Sequence, residues 1–148
     1  MLIKDAMTGS PTCCRPGDRL DRVAKLMLDH DCGVIPVCEG TKVVGVITDR
    51  DIACRAVAAG KVPTEVAVRD VMTKTVYTVG QDEDIQAAID LMEREQVRRL
   101  PVLDGDSNIA GIIAPSDLAP SFASNNVSDF LLAVSYWSRK PDTHRAAV

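Results

Sequence analysis

Most of this chain is written twice. Lys4-Asp5-Ala6-Met7-Thr8 returns as Arg69-Asp70-Val71-Met72-Thr73, and Leu20-Asp21-Arg22-Val23-Ala24-Lys25-Leu26-Met27 falls on Ile85-Gln86-Ala87-Ala88-Ile89-Asp90-Leu91-Met92. Val34-Ile35-Pro36-Val37 meets Arg99-Leu100-Pro101-Val102 at the same offset. One extra residue later, Gly45-Val46-Ile47-Thr48-Asp49-Arg50-Asp51-Ile52 meets Gly111-Ile112-Ile113-Ala114-Pro115-Ser116-Asp117-Leu118. A copy of this length is too short to bury a full core alone, so the two must pack on each other. A cleft between them is then the natural place for a ligand.

Composition narrows the class. Of 148 residues, 46% are apolar, yet there are only two Phe, two Tyr and one Trp, so the core must be built from Val, Ile, Leu, Ala and Met. That is the make-up of a cytoplasmic mixed α/β protein. A net charge of -4, with basic residues scattered except at Arg98-Arg99, lacks the concentrated positive face that binding a nucleic acid requires. Met1-Leu2-Ile3-Lys4-Asp5 runs straight into the first copy without a long apolar stretch, so neither secretion nor a membrane association is expected. All five cysteines lie in the first half, and a reducing compartment makes free thiols their default state.

Spacing locates the elements. Leu20, Val23, Ala24, Met27 and Leu28 recur at helical intervals behind Pro16-Gly17-Asp18, as Ile85, Ala88, Ile89 and Met92 do behind Gly80-Gln81-Asp82. Each helix leads to a short apolar run interrupted by proline, Val34-Ile35-Pro36-Val37 or Leu100-Pro101-Val102-Leu103, and then through a Gly-containing turn to a second strand, Val43 to Thr48 or Ile109 to Ala114. Proline cannot donate to a ladder, which marks that strand as an edge or an irregular one. The pair reads as a hairpin. A further helix opens at Thr48-Asp49-Arg50-Asp51 or Pro115-Ser116-Asp117, and Gly60 to Thr64 reads as the linker. The expected domains are residues 1–62 and 63–123, each a β-α-β-β-α unit. Residues 124–148 should supply a terminal helix around Val127, Phe130, Leu131 and Val134 and a flexible tail beyond Trp137.

The Asp-x-Met-Thr opening found twice, the helix ending in Leu-Met twice, the apolar-Pro-Val strand twice, and Gly-x-x-Thr-x-x-Asp followed by Gly-x-x-Ala-x-x-Asp occur in one fixed order. In that order they resemble the tandem CBS domain pair, or Bateman module, of the short stand-alone bacterial type. The resemblance implies an α+β fold of two repeats with facing three-stranded sheets, related by a pseudo-twofold axis. It also implies a homodimer, and a non-catalytic regulatory module that binds AMP, ADP, ATP or S-adenosylmethionine between the repeats and signals to a protein partner. No cofactor is required by such a module.

The residues suit that chemistry. Asp51, early in a helix, could accept both hydroxyls of a ribose. Thr48 could donate to a phosphate at the strand-to-helix turn, with Arg50 between them. The same Thr-x-x-Asp spacing also describes a capping box that merely satisfies helix N–H groups. In the second copy Asp117 keeps the carboxylate, while Ala114 lacks a hydroxyl and Pro115 removes an N–H. Arg98 and Arg99 could compensate with forked donors for phosphate oxygens, or could pair with Glu93 or Glu95 on the surface. The same stretch in the first copy is Gly33-Val34, where Gly33 would let an adenine approach the backbone or simply end a helix. The two clefts are therefore expected to differ, with a single preferred ligand site.

A second reading concerns thiols. Cys13 is expected on the entry strand of the first copy and Cys38 at the end of the proline strand, where the second copy has Thr78 and Leu103. Side by side, the two could form a disulfide or hold a soft metal with His30 or Cys32, making the protein a ligand-free scaffold or a thiol- or metal-responsive sensor. Cys13 and Cys14 should project to opposite faces of a strand. An enzyme is not expected: the two histidines, His30 and His144, are poorly placed for shared chemistry, and no nucleophile elbow, phosphate-binding glycine string or HExxH pair is present.

Overall fold

The computed structural model describes residues 1–122 and 126–135. Within that range α1 (Ile3–Ala6) and β1 (Thr8–Gly9) precede α2 (Leu20–Asp29), β2 (Val34–Glu39) and β3 (Lys42–Thr48). The first copy closes on α3 (Asp49–Asp51), which continues as a π-helical stretch over Ile52–Val57. A 3₁₀ turn at Val68–Asp70 opens the second copy, followed by β4 (Val79–Gly80), α4 (Ile85–Glu95), β5 (Leu100–Leu103), β6 (Ile109–Ile113) and α5 (Pro115–Leu118). The last element is α6 (Val127–Ser135). The tail expected beyond Trp137 and His144 both lie outside the described residues.

The opening segments are exchanged between copies. β1, from the start of the chain, pairs antiparallel with β6 of the second copy, Thr8 opposite Ile112 and Gly9 opposite Gly111. Reciprocally, Thr73 bridges Val46 on β3 of the first copy. The flanking backbone repeats the exchange: Ile3 and Lys4 donate to the carbonyls of Glu83 and Gln81, while Val68 and Arg69 donate to those of Asp18 and Pro16. After crossing, each chain returns to its own hairpin, Cys14 running parallel to Val37 and Val79 parallel to Val102. The second sheet thus has the order β1-β6-β5-β4, and β2-β3 is flanked by bridges in the equivalent places.

This crossing explains a glycine in each motif. A side chain at Gly45 would lie 2.9 Å from both the Met72 sulfur and the Thr73 carbonyl oxygen, and one at Gly111 would lie 2.5 Å from the Met7 sulfur and 2.7 Å from the Thr8 oxygen. Only glycine lets the other copy's Met-Thr pass so closely. The repeated Asp-x-Met-Thr and Gly-x-x-Thr/Ala elements therefore touch each other across copies. The packing units inherit the exchange. Ile3 is buried among Ile89, Met92, Leu100 and Leu118 of the second copy, whereas Val68 and Val71 are buried among Leu20, Val23, Ile35 and Ile47 of the first.

Helix faces follow the sequence pattern with one correction. Leu20, Val23 and Met27 are buried, but Ala24 is exposed and Leu28 is 75% exposed, although both were expected on the apolar stripe. In α4 the counterpart of Ala24, Ile89, is buried because α6 covers it, setting Phe130 and Val134 in the same core. Phe130 stacks on Phe122 at 5.0 Å between ring centres. The first copy has nothing comparable among the described residues, so that face of α2 stays bare.

Candidate functional site: two unequal clefts

The turns following β3 and β6 begin from the same Gly-x-x-x-x-x-Asp frame and reach different states. In the first copy the cap is complete: Thr48 N–H donates to Asp51 Oδ2 and Asp51 N–H donates to Thr48 Oγ1, each at 3.0 Å. Thr73, delivered by the exchange, donates its hydroxyl to Asp51 Oδ2 at 3.4 Å. Arg55, one helical turn on, stands 3.6 Å from Asp51 Oδ1 and also donates to the carbonyls of Val71 and Met72 and to the Thr73 hydroxyl. Burial raises the Asp51 carboxyl above the ordinary aspartate range, against the lowering pull of the Thr48 N–H and Arg55. Both oxygens of Asp51 are thus already engaged within the protein.

The second copy keeps the frame and changes the neighbours. Asp117 Oδ2 accepts from Ala114 N–H at 2.8 Å, and Asp117 is half-buried. Where Arg55 would stand, the chain has Ser121. The nearby cation comes instead from the strand side. Arg99 continues the β5–β6 register, in which Leu100 faces Ile113, so that it lies opposite Ala114. Its guanidinium donates to the Arg98 carbonyl at 2.9 Å and feels the Asp117 charge. Burial, reinforced by Arg98, lowers its pKa, and Asp117 opposes that shift. Arg99 shares a small gap with Val46, Thr75, Val76, Tyr77, Val97 and Pro101; at about 10 Å³ the gap has room for a water molecule at most.

The remaining expected residues separate. Arg50 is exposed, its N–H donating to Asp49 Oδ1. Gly33 lies against the same aspartate: its carbonyl accepts from Asp49 N–H, and a side chain there would meet Asp49 Oδ2 at 3.0 Å. Arg98 is half-buried next to Arg99. Sequence reasoning missed Arg55 and Thr73. Arg55 was visible as an i,i+4 partner of Asp51; Thr73 comes from the other copy and had no local signal.

A larger crevice of about 410 Å³ opens nearer the hairpin turns, between Lys42, Val43 and Val44 of the first copy and Lys74, Val76, Thr78, Leu103 and Ser107 of the second. Contacts between the turns close its end: Thr41 Oγ1 donates to Asn108 Oδ1, Ile109 N–H donates to the Thr41 carbonyl, and Lys42 Nζ donates to the Asp106 carbonyl. Among the described residues no group of three or more His, Cys, Asp or Glu could hold a metal, and no helix is long and apolar enough to cross a membrane.

Comparison with known proteins places this arrangement. The CBS domain matches residues 3–56 and again residues 68–123. Hypoxic response protein 1 of Mycobacterium tuberculosis is 30% identical over 132 residues, covering 88% of this chain and 92% of that protein. The crystal structure of Hypoxic Response Protein I with two coordinated zinc ions superposes with a TM-score of 0.75 at 31% identity, over 83% of this chain and all of that one. The CBS domain pair of protein MJ0100, solved in complex with 5'-methylthioadenosine and S-adenosyl-L-methionine, gives a TM-score of 0.73 at 27% identity over 83% of this chain and 100% of that one. Protein MK0525 of Methanopyrus kandleri is 36% identical over 116 residues, or 78% of this chain, which spans 57% of that longer protein. Two matched repeats, their reciprocal pairing and these likenesses together establish that the chain belongs to the CBS domain family, as a tandem CBS pair.

Proposed function

We propose that the protein is a non-catalytic regulatory module that takes one adenosine-containing ligand in the cleft of its second copy, with Asp117 on the ribose and Arg99, aided by Arg98, on phosphate or another anionic group. The observation that carries this reading is the difference between the two aspartates. Asp51 is saturated by Thr48, Thr73 and Arg55, whereas among the described residues Asp117 has only its cap N–H and a half-buried guanidinium in its field. A pocket that must discriminate a ribose needs a carboxylate with an oxygen to spare. Thr48, Arg50 and Gly33 then serve the structure of the first copy, not the ligand.

The gap at Arg99 is too small for an adenosine, so binding requires the Arg99 side chain to swing out and the Val46 side of the first copy to yield. That is the differential contact a population shift needs: the ligand favours a more open pairing of the copies, and the surface presented to a protein partner changes with it. The bare face of α2, where Ala24 is exposed and Leu28 is 75% exposed, supports a homodimer in which a second chain covers it as α6 covers Ile89 in the second copy. A cytoplasmic setting fits an intracellular nucleotide signal.

Thermal unfolding against AMP, ADP, ATP and S-adenosylmethionine tests this, with sedimentation of the same samples reporting the dimer. A ligand at a hundred times its Kd should add about 2.7 kcal/mol of stability. The response is expected to vanish in Asp117→Ala and to fall at least tenfold in affinity in Arg99→Ala, while persisting in Asp51→Asn. Loss of the response in Asp51→Asn with retention in Asp117→Ala would move the site to the first copy, and no response to any of the four would end the nucleotide reading.

A further inference from the structure

The first copy carries, at the positions where the second copy lines its crevice, a pair of thiols. Cys14 N–H donates to the Pro36 carbonyl and Cys38 N–H to the Cys14 carbonyl, so the segment before α2 runs parallel to β2 with Cys14 opposite Val37. Cys14 and Val37 both point into the core beneath α2. Strand alternation then turns Cys13 and Cys38 to the other side, the side facing the second copy. The repeat confirms the direction: their counterparts Thr78 and Leu103 both line the 410 Å³ crevice between copies. A register shift between Val37 and Cys38 re-aims the end of β2 at this point. The two thiols lie beside each other there, and Cys13 Sγ donates to the Pro11 carbonyl at 3.4 Å.

Their surroundings divide the labour. Cys13 is half-exposed and Cys38 is 3% exposed. The neighbouring Cys38 lowers the Cys13 thiol, and Cys13 together with burial raises Cys38. Cys14, buried in the core, is pushed up to about 12 and is withdrawn from the chemistry. One accessible sulfur inclined to ionise, touching one covered sulfur that keeps its proton, is the arrangement of an attacking and a resolving cysteine.

We infer that Cys13 and Cys38 form a reversible dithiol–disulfide pair on the wall of the cleft between the copies, giving the protein a thiol-responsive site separate from Asp117. With a peroxide as oxidant, the Cys13 thiolate attacks one peroxide oxygen. The O–O bond breaks, alkoxide or hydroxide leaves, and Cys13 becomes a sulfenic acid. The Cys38 sulfur then attacks the Cys13 sulfur; an S–S bond forms, the S–O bond breaks, and the hydroxyl departs with the Cys38 proton as water. Two electrons pass from the thiol pair to the peroxide. A small dithiol returns them by exchange. The bond fastens the Pro11–Arg15 segment to the end of β2, on the face that the second copy packs against.

The test needs no variant. Full-length protein is treated with hydrogen peroxide under conditions that leave it folded by circular dichroism, remaining thiols are alkylated, and disulfide peptides are mapped by mass spectrometry. The expected result is loss of two of the five thiols, a Cys13–Cys38 peptide within a single chain, and recovery of both thiols with dithiothreitol. Cys13→Ser should abolish that peptide, and Cys54→Ser should leave it unchanged. Cys13 and Cys38 both remaining alkylatable after peroxide, or the bond forming instead at Cys32 or between Cys54 residues of two chains, would overturn the inference.

Discussion

Asp51 is a carboxylate held in its charged form by neighbours and discouraged from it by burial, and the balance has a measurable sign. Its pKa lies above the ordinary aspartate value because desolvation outweighs the Thr48, Arg55 and Thr73 contributions. A carboxyl whose folded pKa is raised takes up a proton on folding. Its contribution is fully present below the ordinary aspartate pKa of about 3.9 and is lost as pH rises through the raised value. Asp51→Asn keeps an acceptor for the Thr48 N–H and does not titrate. The stability difference, wild type minus variant, should therefore grow in favour of wild type as pH falls from neutral toward 4 and level off below. Urea midpoints at a series of pH values read this directly; a difference that shrinks toward acid would mean that the Arg55 pair, not burial, governs the group. Asp51→Ala is harsher, since it leaves the Thr48 N–H and the Thr73 hydroxyl without their acceptor, a cost of about 1–3 kcal/mol.

At the scale of elements, the two motif glycines are positions of contact between copies, and substituting them tests the exchange itself. Gly45→Ala or Gly111→Ala places a methyl against a backbone carbonyl that cannot move without parting the strands, and overpacking of that kind costs about 1–3 kcal/mol. Gly9→Ala meets no atom within 4 Å and should be close to neutral for packing, which makes it the control. Equal urea midpoints for Gly9→Ala and Gly111→Ala would show that the crossing has slack. The helices and hairpins were legible because period and turn chemistry are local: Leu20, Val23 and Met27 declare α2, and Gly40, with its positive φ, declares the hairpin turn. The exchange was not legible, since nothing in Met7-Thr8 says which hairpin it joins. Ala24 misled for a related reason: its equivalent in α4, Ile89, is covered by α6, which has no counterpart among the described residues of the first copy, whereas Leu28 is matched in α4 by the exposed Glu93. At the site, the Thr48 and Asp51 cap was readable in both of its meanings, while Arg55 and Thr73, which take up the carboxylate's other contacts, were not read at all.

For the molecule as a whole, reciprocal exchange means that a cut between the sequence repeats does not fall between folding units. Severing the chain at the exposed Gly60–Val62 stretch would strip Val68 and Val71 from the core beneath α2 and Ile3 from the core beneath α4. Each fragment would also leave a β3- or β6-type edge without its crossing strand, exposing unpaired backbone. Fragments 1–61 and 62–148 are therefore each expected to lack cooperative unfolding as monomers, and to regain it when mixed in equal amounts. The pseudo-twofold adds an alternative within the same physics. Met72-Thr73 of one 62–148 fragment could cross Gly111 of another in the way Met7-Thr8 does, so any folded state of an isolated fragment should be at least a dimer, with a midpoint that rises with concentration. A monomeric 62–148 fragment with a sharp, concentration-independent urea transition would show that the crossing strand is dispensable. In the intact chain the same linkage makes the two clefts mechanically dependent, because the segment that supplies Thr73 to Asp51 continues through Thr75 and Val76 into the gap at Arg99. If the proposed ligand opens that gap, it must pull on the segment that completes the other copy's sheet, and this shared backbone would carry the change to the shape of the pair.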